Sequence, residues 1–249
     1  MNDMLRSVGM VLVLTLAAFA QVSDADKSAA TEALTGLRTA VKDKVDTDIE
    51  HFVKLVAEKW PATDAAQRKE VHTMLPRCFA SKIAKTRSAT VEAAAKMGGG
   101  EKDKDADTTA KLLADEAAKK STAEDLTYHG QVLVALGKLH SSKQITVLTK
   151  MLGYKDWEVR SSAAEALGYY KDANLQSRKE SVDAMLKIYN SAWSAANDPR
   201  DTTAKNNLAK IKNAMEGSLK MLTSVKTGVE GAPAWHKWWN DSGKKATEW

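Results

Sequence analysis

The chain has 249 residues, 43% of them hydrophobic, and its formal net charge is +5. This composition supports a folded core and excludes a wholly disordered chain. Only 4 prolines and 3 phenylalanines occur, whereas alanine and lysine are abundant. That balance favours helix over strand, because these residues lose little conformational freedom in a helix.

The first 20 residues have the pattern of a secretory signal peptide. A short segment containing Arg6 precedes an apolar run from Val8 to Ala20, which ends in Ala18-Phe19-Ala20, an A-x-A cleavage pattern. The alternative is a retained membrane anchor, but about a dozen apolar residues are short for the roughly 20 that span a bilayer. We therefore predict that residues 1–20 are a signal peptide, cleaved before Gln21. The mature protein is then exported, to the periplasm or the cell exterior, with no stable membrane span.

Residues 21–97 are predicted to be an N-terminal helical region. Apolar residues recur at three- and four-residue steps from Leu34 to Val45 and again from Ile49 to Val56. Trp60-Pro61 ends this pattern because the residue before a proline disfavours helix, and Thr63 or Asp64 can cap the next helix. The single cysteine, Cys78, lies among apolar residues, so we expect a buried thiol rather than an intermolecular disulfide.

Residues 98–110 are predicted to be a flexible charged loop, because three glycines are followed by alternating charges without apolar periodicity. Asp103, Asp105 and Asp107 alternate as they do in a calcium-binding loop. An EF-hand loop, however, requires glycine at its sixth position and glutamate at its twelfth, where this chain has Thr108 and Ala114. We therefore predict no calcium site here.

Residues 111–230 contain an internal repeat. Ala135-Leu136-Gly137 and Ala166-Leu167-Gly168 stand 31 positions apart, and one-sided apolar faces lie between and beyond them. A pair of helices repeated at a fixed interval cannot bury its apolar face alone, so we expect the pairs to stack against one another.

A longer motif extends from Leu148 to Gly168. It has an apolar first helix, then Asp156 followed by Val159-Arg160, then Ala163-Ala164 and the Ala-Leu-Gly run. This segment resembles the short bacterial form of the HEAT repeat, although Trp157 replaces the usual proline. The resemblance covers roughly residues 126–188. It implies an all-α fold, a short HEAT-like α-solenoid of stacked helical hairpins with an additional helical N-terminal region.

Asp156 and Arg160 have a chemical and an architectural interpretation. The pair lacks a group that titrates near neutral pH, which acid–base catalysis needs. The resemblance implies that the aspartate caps the second helix and that the arginine bonds to neighbouring repeats. An acid at a helix N-terminus is also expected on physical grounds, because it satisfies free N–H groups. We therefore predict structural roles for both residues.

Residues 231–249 are a tryptophan-rich tail. The stretch APAWHKWWNDSG is similar to a W-x-x-W-W ending of secreted bacterial HEAT-repeat proteins. In a helix Trp235, Trp238 and Trp239 share one face. They form either a cap over the last repeat or an aromatic docking site for a partner or a sugar. We prefer the cap and expect it to cover the helix that carries Leu208 to Leu222.

Motifs of known catalytic and cofactor sites do not occur in the sequence. The five histidines are scattered without an HExxH or HxH pattern, and G-x-S-x-G, a P-loop and C-x-x-C-H are absent. We therefore predict a non-catalytic protein with no cofactor and no metal.

The sequence predicts a class of function rather than a ligand. Basic residues outnumber acidic ones from Leu126 onward, which favours an acidic protein partner, although a solvated basic surface is the simpler interpretation and the one we prefer. No basic cluster interleaved with aromatic residues indicates nucleic-acid binding. We predict an exported binding or scaffolding module whose concave face holds another protein. The alternatives are a lyase-like HEAT enzyme or enzyme subunit, since some short-repeat HEAT proteins resemble phycobilin lyases, and a carbohydrate-binding envelope protein that uses the tryptophans.

Overall fold

The computed structural model describes residues 22–98, 103–225 and 227–249, and every regular element in these ranges is a helix. The prediction of an all-α fold is confirmed. The predicted signal peptide and its cleavage site lie outside the described residues. In chain order the α-helices are α1 (Asp24–Asp43), α2 (Asp46–Glu58), α3 (Ala65–Phe79), α4 (Ala84–Ala94), α5 (Lys104–Ala117), α6 (Lys120–Glu124), α7 (Leu126–Lys138), α8 (Ile145–Met151), α9 (Trp157–Gly168), α10 (Leu175–Ala196), α11 (Thr202–Thr223) and α12 (Gly231–Asp241).

The helices form hairpins that stack in two layers. α1 packs against α2, α3 against α4, α5 against α7, α8 against α9, and α10 against α11. The second helices α2, α4, α7, α9 and α11 also contact one another in that order, and we call this row the second-helix layer. The first helices α1, α3, α5, α8 and α10 form the first-helix layer. Each hairpin mainly contacts its neighbours, so the predicted solenoid-like arrangement is confirmed and includes the N-terminal helices.

The repeated Ala-Leu-Gly run has a packing role in the second-helix layer. A Cβ atom added to Gly137 of α7 would lie 2.5 Å from the carbonyl oxygen of Ala166 in α9. A Cβ atom added to Gly168 of α9 would lie 2.6 Å from the hydroxyl oxygen of Ser218 in α11. The glycine of each repeat therefore permits the next second helix to approach at backbone distance.

The two layers are not equally close-packed. At each step along the stack, the contacts between second helices are more extensive than those between first helices, with the smallest difference at the step from α3 and α4 to α5 and α7. A two-layered stack curves toward its more closely packed layer, and from this we infer that the second-helix layer lines the concave side. Within this layer the loosest seam lies between α4 and α7, where the short helix α6 is inserted into the chain.

The prediction of a loop over residues 98–110 is wrong for its second half. The chain is helical from Lys104, because the Asp103 carboxylate accepts hydrogen bonds from the backbone N–H groups of Asp105, at 2.8 Å, and Ala106, at 3.4 Å. The alternating aspartates that indicated a loop therefore belong to a helix cap and an acidic first turn, which the helix dipole favours. Asp107 also lies 2.5 Å from the ammonium group of Lys143.

The N-terminal hairpins follow the sequence pattern closely. Asp64 caps α3 through a reciprocal capping box with Gln67. Cys78 is fully buried in the same helix, and burial raises the pKa of its thiol to about 12. The predicted buried thiol is confirmed.

Candidate functional site

Asp156 caps α9. One of its carboxylate oxygens accepts hydrogen bonds from the backbone N–H groups of Glu158, at 2.8 Å, and Val159, at 3.4 Å. These N–H groups have no partner within the helix, so the aspartate supplies the acceptor that the first turn lacks. The geometry is that of a helix cap.

Arg160 is held within its own hairpin. Its Nε atom donates a hydrogen bond to the carbonyl of Tyr154, in the loop between α8 and α9. Its guanidinium group lies 4.0 Å from the centre of the Trp157 ring. The expectation that this arginine bonds to neighbouring repeats is therefore not met. Trp157 instead gives the guanidinium an aromatic surface to stack on.

The tryptophan-rich tail forms α12 and covers α10. The Nε1 atom of Trp239 donates to a carboxylate oxygen of Asp183 at 3.2 Å. The ammonium group of Lys179 donates to the carbonyls of Lys244, at 2.9 Å, and Ala246, at 2.6 Å. Asp183 and Lys179 both belong to α10, whereas we expected the helix carrying Leu208 to Leu222, which is α11. That expectation is wrong because α12 continues the first-helix layer, to which α10 belongs.

The three predicted tail residues differ in exposure. Trp235 and Trp239 are 0% and 4% exposed, whereas Trp238 is partly exposed. Trp249 joins them, with ring centroids 6.0 Å from Trp238 and 5.7 Å from Trp239. Two of the three predicted rings thus belong to the hydrophobic core, and only Trp238 offers part of its ring to solvent. This burial favours the cap over a docking site.

Buried polar groups outside the tail hold neighbouring helices together. Glu116 of α5 accepts hydrogen bonds from the hydroxyl groups of Thr122, at 3.1 Å, and Tyr128, at 3.3 Å. Burial and the nearby Glu116 carboxylate raise the pKa of Tyr128. His72 lies 3.0 Å from the hydroxyl of Thr109. In the part of the chain that the structure describes, no three His, Cys, Asp or Glu side chains are grouped so that they could hold a metal ion.

A groove of about 480 Å³ opens on the concave side at the loose seam between α4 and α7. Apolar atoms form most of its surface, and its three charged residues, Glu92, Lys96 and Lys138, are exposed to solvent. We call it the concave groove, and its residues are Val91, Glu92, Ala95, Lys96, Gln131, Val134, Ala135 and Lys138. The Ser88 hydroxyl donates to the side-chain oxygen of Gln131 at 2.7 Å, which ties the two walls together.

The concave groove does not correspond to any motif in the sequence. One signal was available: the run Val132-Leu133-Val134-Ala135-Leu136 is apolar at every position. A helix that is apolar all round has more apolar surface than one neighbour can cover. Val132 and Leu133 are fully buried, whereas Val134 is only partly buried and lines the groove.

No helix among the described residues combines the length and the apolar character needed to cross a membrane. In comparisons with known proteins, no family model matches the chain, and no curated protein is significantly similar to it.

Proposed function

We propose that this protein is an exported, non-catalytic scaffolding module that holds another protein on the concave side of its helical stack. The concave groove is the observation that carries the proposal. Its apolar floor, which includes Val91 and Val134, is bordered by Glu92, Lys96 and Lys138. An apolar centre with a charged rim is the usual arrangement of a protein-binding surface.

The fold supports the same proposal. Solenoids have extended concave surfaces that stay exposed to solvent, because each repeat packs only against its neighbours. The rim of the concave groove carries both signs of charge, so it suits a polypeptide with an apolar anchor residue between polar ones. Export is part of the proposal and is supported by the signal-peptide pattern of residues 1–20.

Site-specific photo-crosslinking in the native host tests this proposal. A photoreactive amino acid replaces Lys138 at the rim of the concave groove, and in a control it replaces Lys111, an exposed lysine of α5 in the first-helix layer. We expect a discrete cross-linked partner from position 138 and none from position 111. Val134→Glu places a charge on the groove floor and should abolish the product without changing the helical circular dichroism spectrum. Equal products from both positions, or a product that survives Val134→Glu, would contradict the proposal.

A further inference from the structure

Two successive turns at one edge of the stack share an unusual local sequence. Lys44-Val45 precedes α2, and Lys82-Ile83 precedes α4. Val45 and Ile83 occupy the N-cap positions of these helices, and neither side chain accepts a capping hydrogen bond. The later second helices α7, α9 and α11 are instead capped by aspartates, namely Asp125, Asp156 and Asp201. The first two turns therefore forgo a stabilising cap in favour of an apolar side chain.

These apolar side chains do not serve the core. Val45 is 39% exposed and Ile83 is 51% exposed, and they are two of only four large apolar residues that are exposed in the described part of the chain. A residue that breaks a local preference without contributing to packing indicates a functional constraint.

A groove of about 620 Å³ is lined by Lys44 and Lys82 of these two turns, while Val45 and Ile83 lie next to its lining residues in sequence and outside the lining itself; we call it the turn groove. Its floor is apolar, formed by residues that include Val41 and Ile49. Its charged residues are Lys42, Lys44, Asp46, Arg77 and Lys82. Positive charge therefore dominates its walls.

The cations of the turn groove lack acidic partners. None of the four forms an ion pair with a described residue, and the single acid, Asp46, accepts a hydrogen bond from the Ser81 hydroxyl. The cationic run ends at the next turn, where Asp125 lies 3.1 Å from the guanidinium of Arg87. Asp43 and Asp48 are exposed nearby but do not line the groove.

A position at a helix C-terminus accounts for only two of the four cationic residues of the turn groove. Lys42 and Arg77 lie in the last turns of α1 and α3, where a cation complements the helix dipole. Lys44 and Lys82 lie beyond those helices. Lys44 also has a left-handed backbone with a φ of 59°, a conformation for which glycine or asparagine is the usual choice.

We propose that the turn groove docks an acidic segment of a partner protein in the polyproline II conformation, with an acidic and an apolar residue repeated every third position. This inference rests on the proposed scaffolding function and names a second contact surface for it. The acid faces Lys44 on one turn and Lys82 on the next, while the apolar residue contacts Val45 and then Ile83. The lysines attract the acidic residues of the segment, and the exposed side chains of Val45 and Ile83 bind its apolar residues.

The repeat spacing supports this segment conformation. α2 and α4 pack directly against each other, and packed helices have axes about 8–10 Å apart. A polyproline II segment has three residues per turn and advances roughly 9 Å over those three residues. Side chains three positions apart therefore point the same way at a spacing that matches two successive turns of the stack.

A labelled peptide tests the inference directly. The probe is fluorescein-labelled (Glu-Leu-Pro)3, measured by fluorescence polarisation against the full mature chain, with neutral (Gln-Leu-Pro)3 as its control. We expect binding of the glutamate peptide that weakens as salt is added, and at least about tenfold weaker binding of the glutamine peptide. The variant Lys44→Glu/Lys82→Glu should bind the glutamate peptide at least about tenfold more weakly. Lys205→Glu/Lys212→Glu, which makes the same charge change at exposed positions of α11, should bind as the parent does.

A second variant separates binding from stability. Val45→Ser/Ile83→Ser installs favoured N-cap residues, so it should raise the melting temperature by about 2–4 °C for each restored cap. The same variant should lose affinity for the peptide because the apolar side chains of Val45 and Ile83 are no longer present. A more stable protein that binds less well cannot be explained by misfolding.

Three outcomes would overturn the inference. They are equal affinity of the two charge-reversed variants, no binding by the parent up to about 1 mM peptide, and parent-like binding by Val45→Ser/Ile83→Ser. Sedimentation with phosphatidylserine vesicles that is lost in Lys44→Glu/Lys82→Glu, without any peptide binding, would assign the edge to a membrane surface instead. Cross-linking from position 138 tests binding at the concave groove, which is separate from the turn groove. If it persists while the peptide result fails, the scaffolding proposal stands and this inference falls.

Discussion

His129 is buried without the hydrogen-bond partners that its two ring nitrogens normally require. It is 1% exposed in α7, neither ring nitrogen has a hydrogen-bond partner, and its ring meets the edge of Tyr154 at 5.1 Å. Burial lowers the pKa of His129, because the charged form would lose its hydration. The folded protein therefore holds this histidine neutral under conditions in which the unfolded chain takes up a proton.

This burial makes the free energy of unfolding depend on pH. The unfolded pKa is about 6.5, and the folded pKa lies below it, so the unfolded state binds the extra proton as pH falls below that value. Stability should therefore be fully present above pH 6.5 and should decline below it, by at most about 1.4 kcal/mol per pH unit for one proton. Burial also lowers the pKa of His72, which adds in the same direction.

Urea denaturation of His129→Leu between pH 7.5 and 5.5 checks this expectation. The leucine variant should be at least as stable as the parent at pH 7.5, because it removes two unsatisfied polar atoms. Its loss of stability at low pH should be smaller than the parent's. Identical pH profiles for the parent and His129→Leu would show that His129 is not the group responsible.

Arg160 should matter through structure alone. Arg160→Ala removes the hydrogen bond to the Tyr154 carbonyl and the stacking on Trp157, so we expect a loss of about 1–3 kcal/mol in thermal melts. Lys155→Ala, at an exposed neighbouring position, should change stability by less than about 0.5 kcal/mol. An unchanged melt together with lost partner binding would move Arg160 from the scaffold to the binding site.

At the scale of the helix, two glycines within helices should respond to the same substitution in opposite ways. Gly137→Ala places a Cβ atom 2.5 Å from the Ala166 carbonyl oxygen, and overpacking of this kind costs about 1–3 kcal/mol. Gly217 of α11 has no neighbouring atom within 4 Å of its added Cβ. Gly217→Ala should therefore stabilise the protein by about 0.5–1 kcal/mol. Both values follow from urea denaturation, and a neutral Gly137→Ala would refute the close contact between α7 and α9.

The tail helix should be required for the stability of the last repeat. Truncation after Gly231 removes the buried rings of Trp235 and Trp239. Each tryptophan buries roughly 150–250 Å², and at about 25 cal/mol per Å² the loss amounts to several kcal/mol. We expect the truncated protein to melt early or aggregate in circular dichroism and light-scattering measurements. An intact fold that has lost partner binding would instead identify the tail as a docking site.

How far the sequence predicts the structure differs from element to element. The start of α9 was predictable, because Asp156 and the residues after it act locally on their own helix. The start of α5 was not, because acids in a first turn resemble a charged loop until the cap at Asp103 is seen. The concave groove was also missed, since it depends on a seam between hairpins that are distant in sequence. The helix that α12 covers was also predicted wrongly. α11 directly precedes α12 in the chain, but α12 packs against α10, and this contact depends on how the hairpins stack.

At the scale of the whole molecule, export remains a prediction from the signal-peptide pattern. We expect the mature chain to begin at or near Gln21, because the Ala18-Phe19-Ala20 pattern follows an apolar run of signal-peptide length. N-terminal sequencing of protein isolated from its native host checks this. An intact Met1 on cytoplasmic protein would contradict it, and would also remove export from the proposed function.

The glycine contacts of the second-helix layer have a mechanical consequence. Between α7 and α11 the backbone at Gly137 is in close contact with Ala166, and the backbone at Gly168 is in close contact with Ser218. Bringing these helices closer together would therefore cause steric clashes. The helices α7, α9 and α11 therefore have no room to move closer together at these two glycines. The open seam between α4 and α7 has space left to close. Any closure of the second-helix layer is therefore expected at the concave groove rather than between α7 and α11.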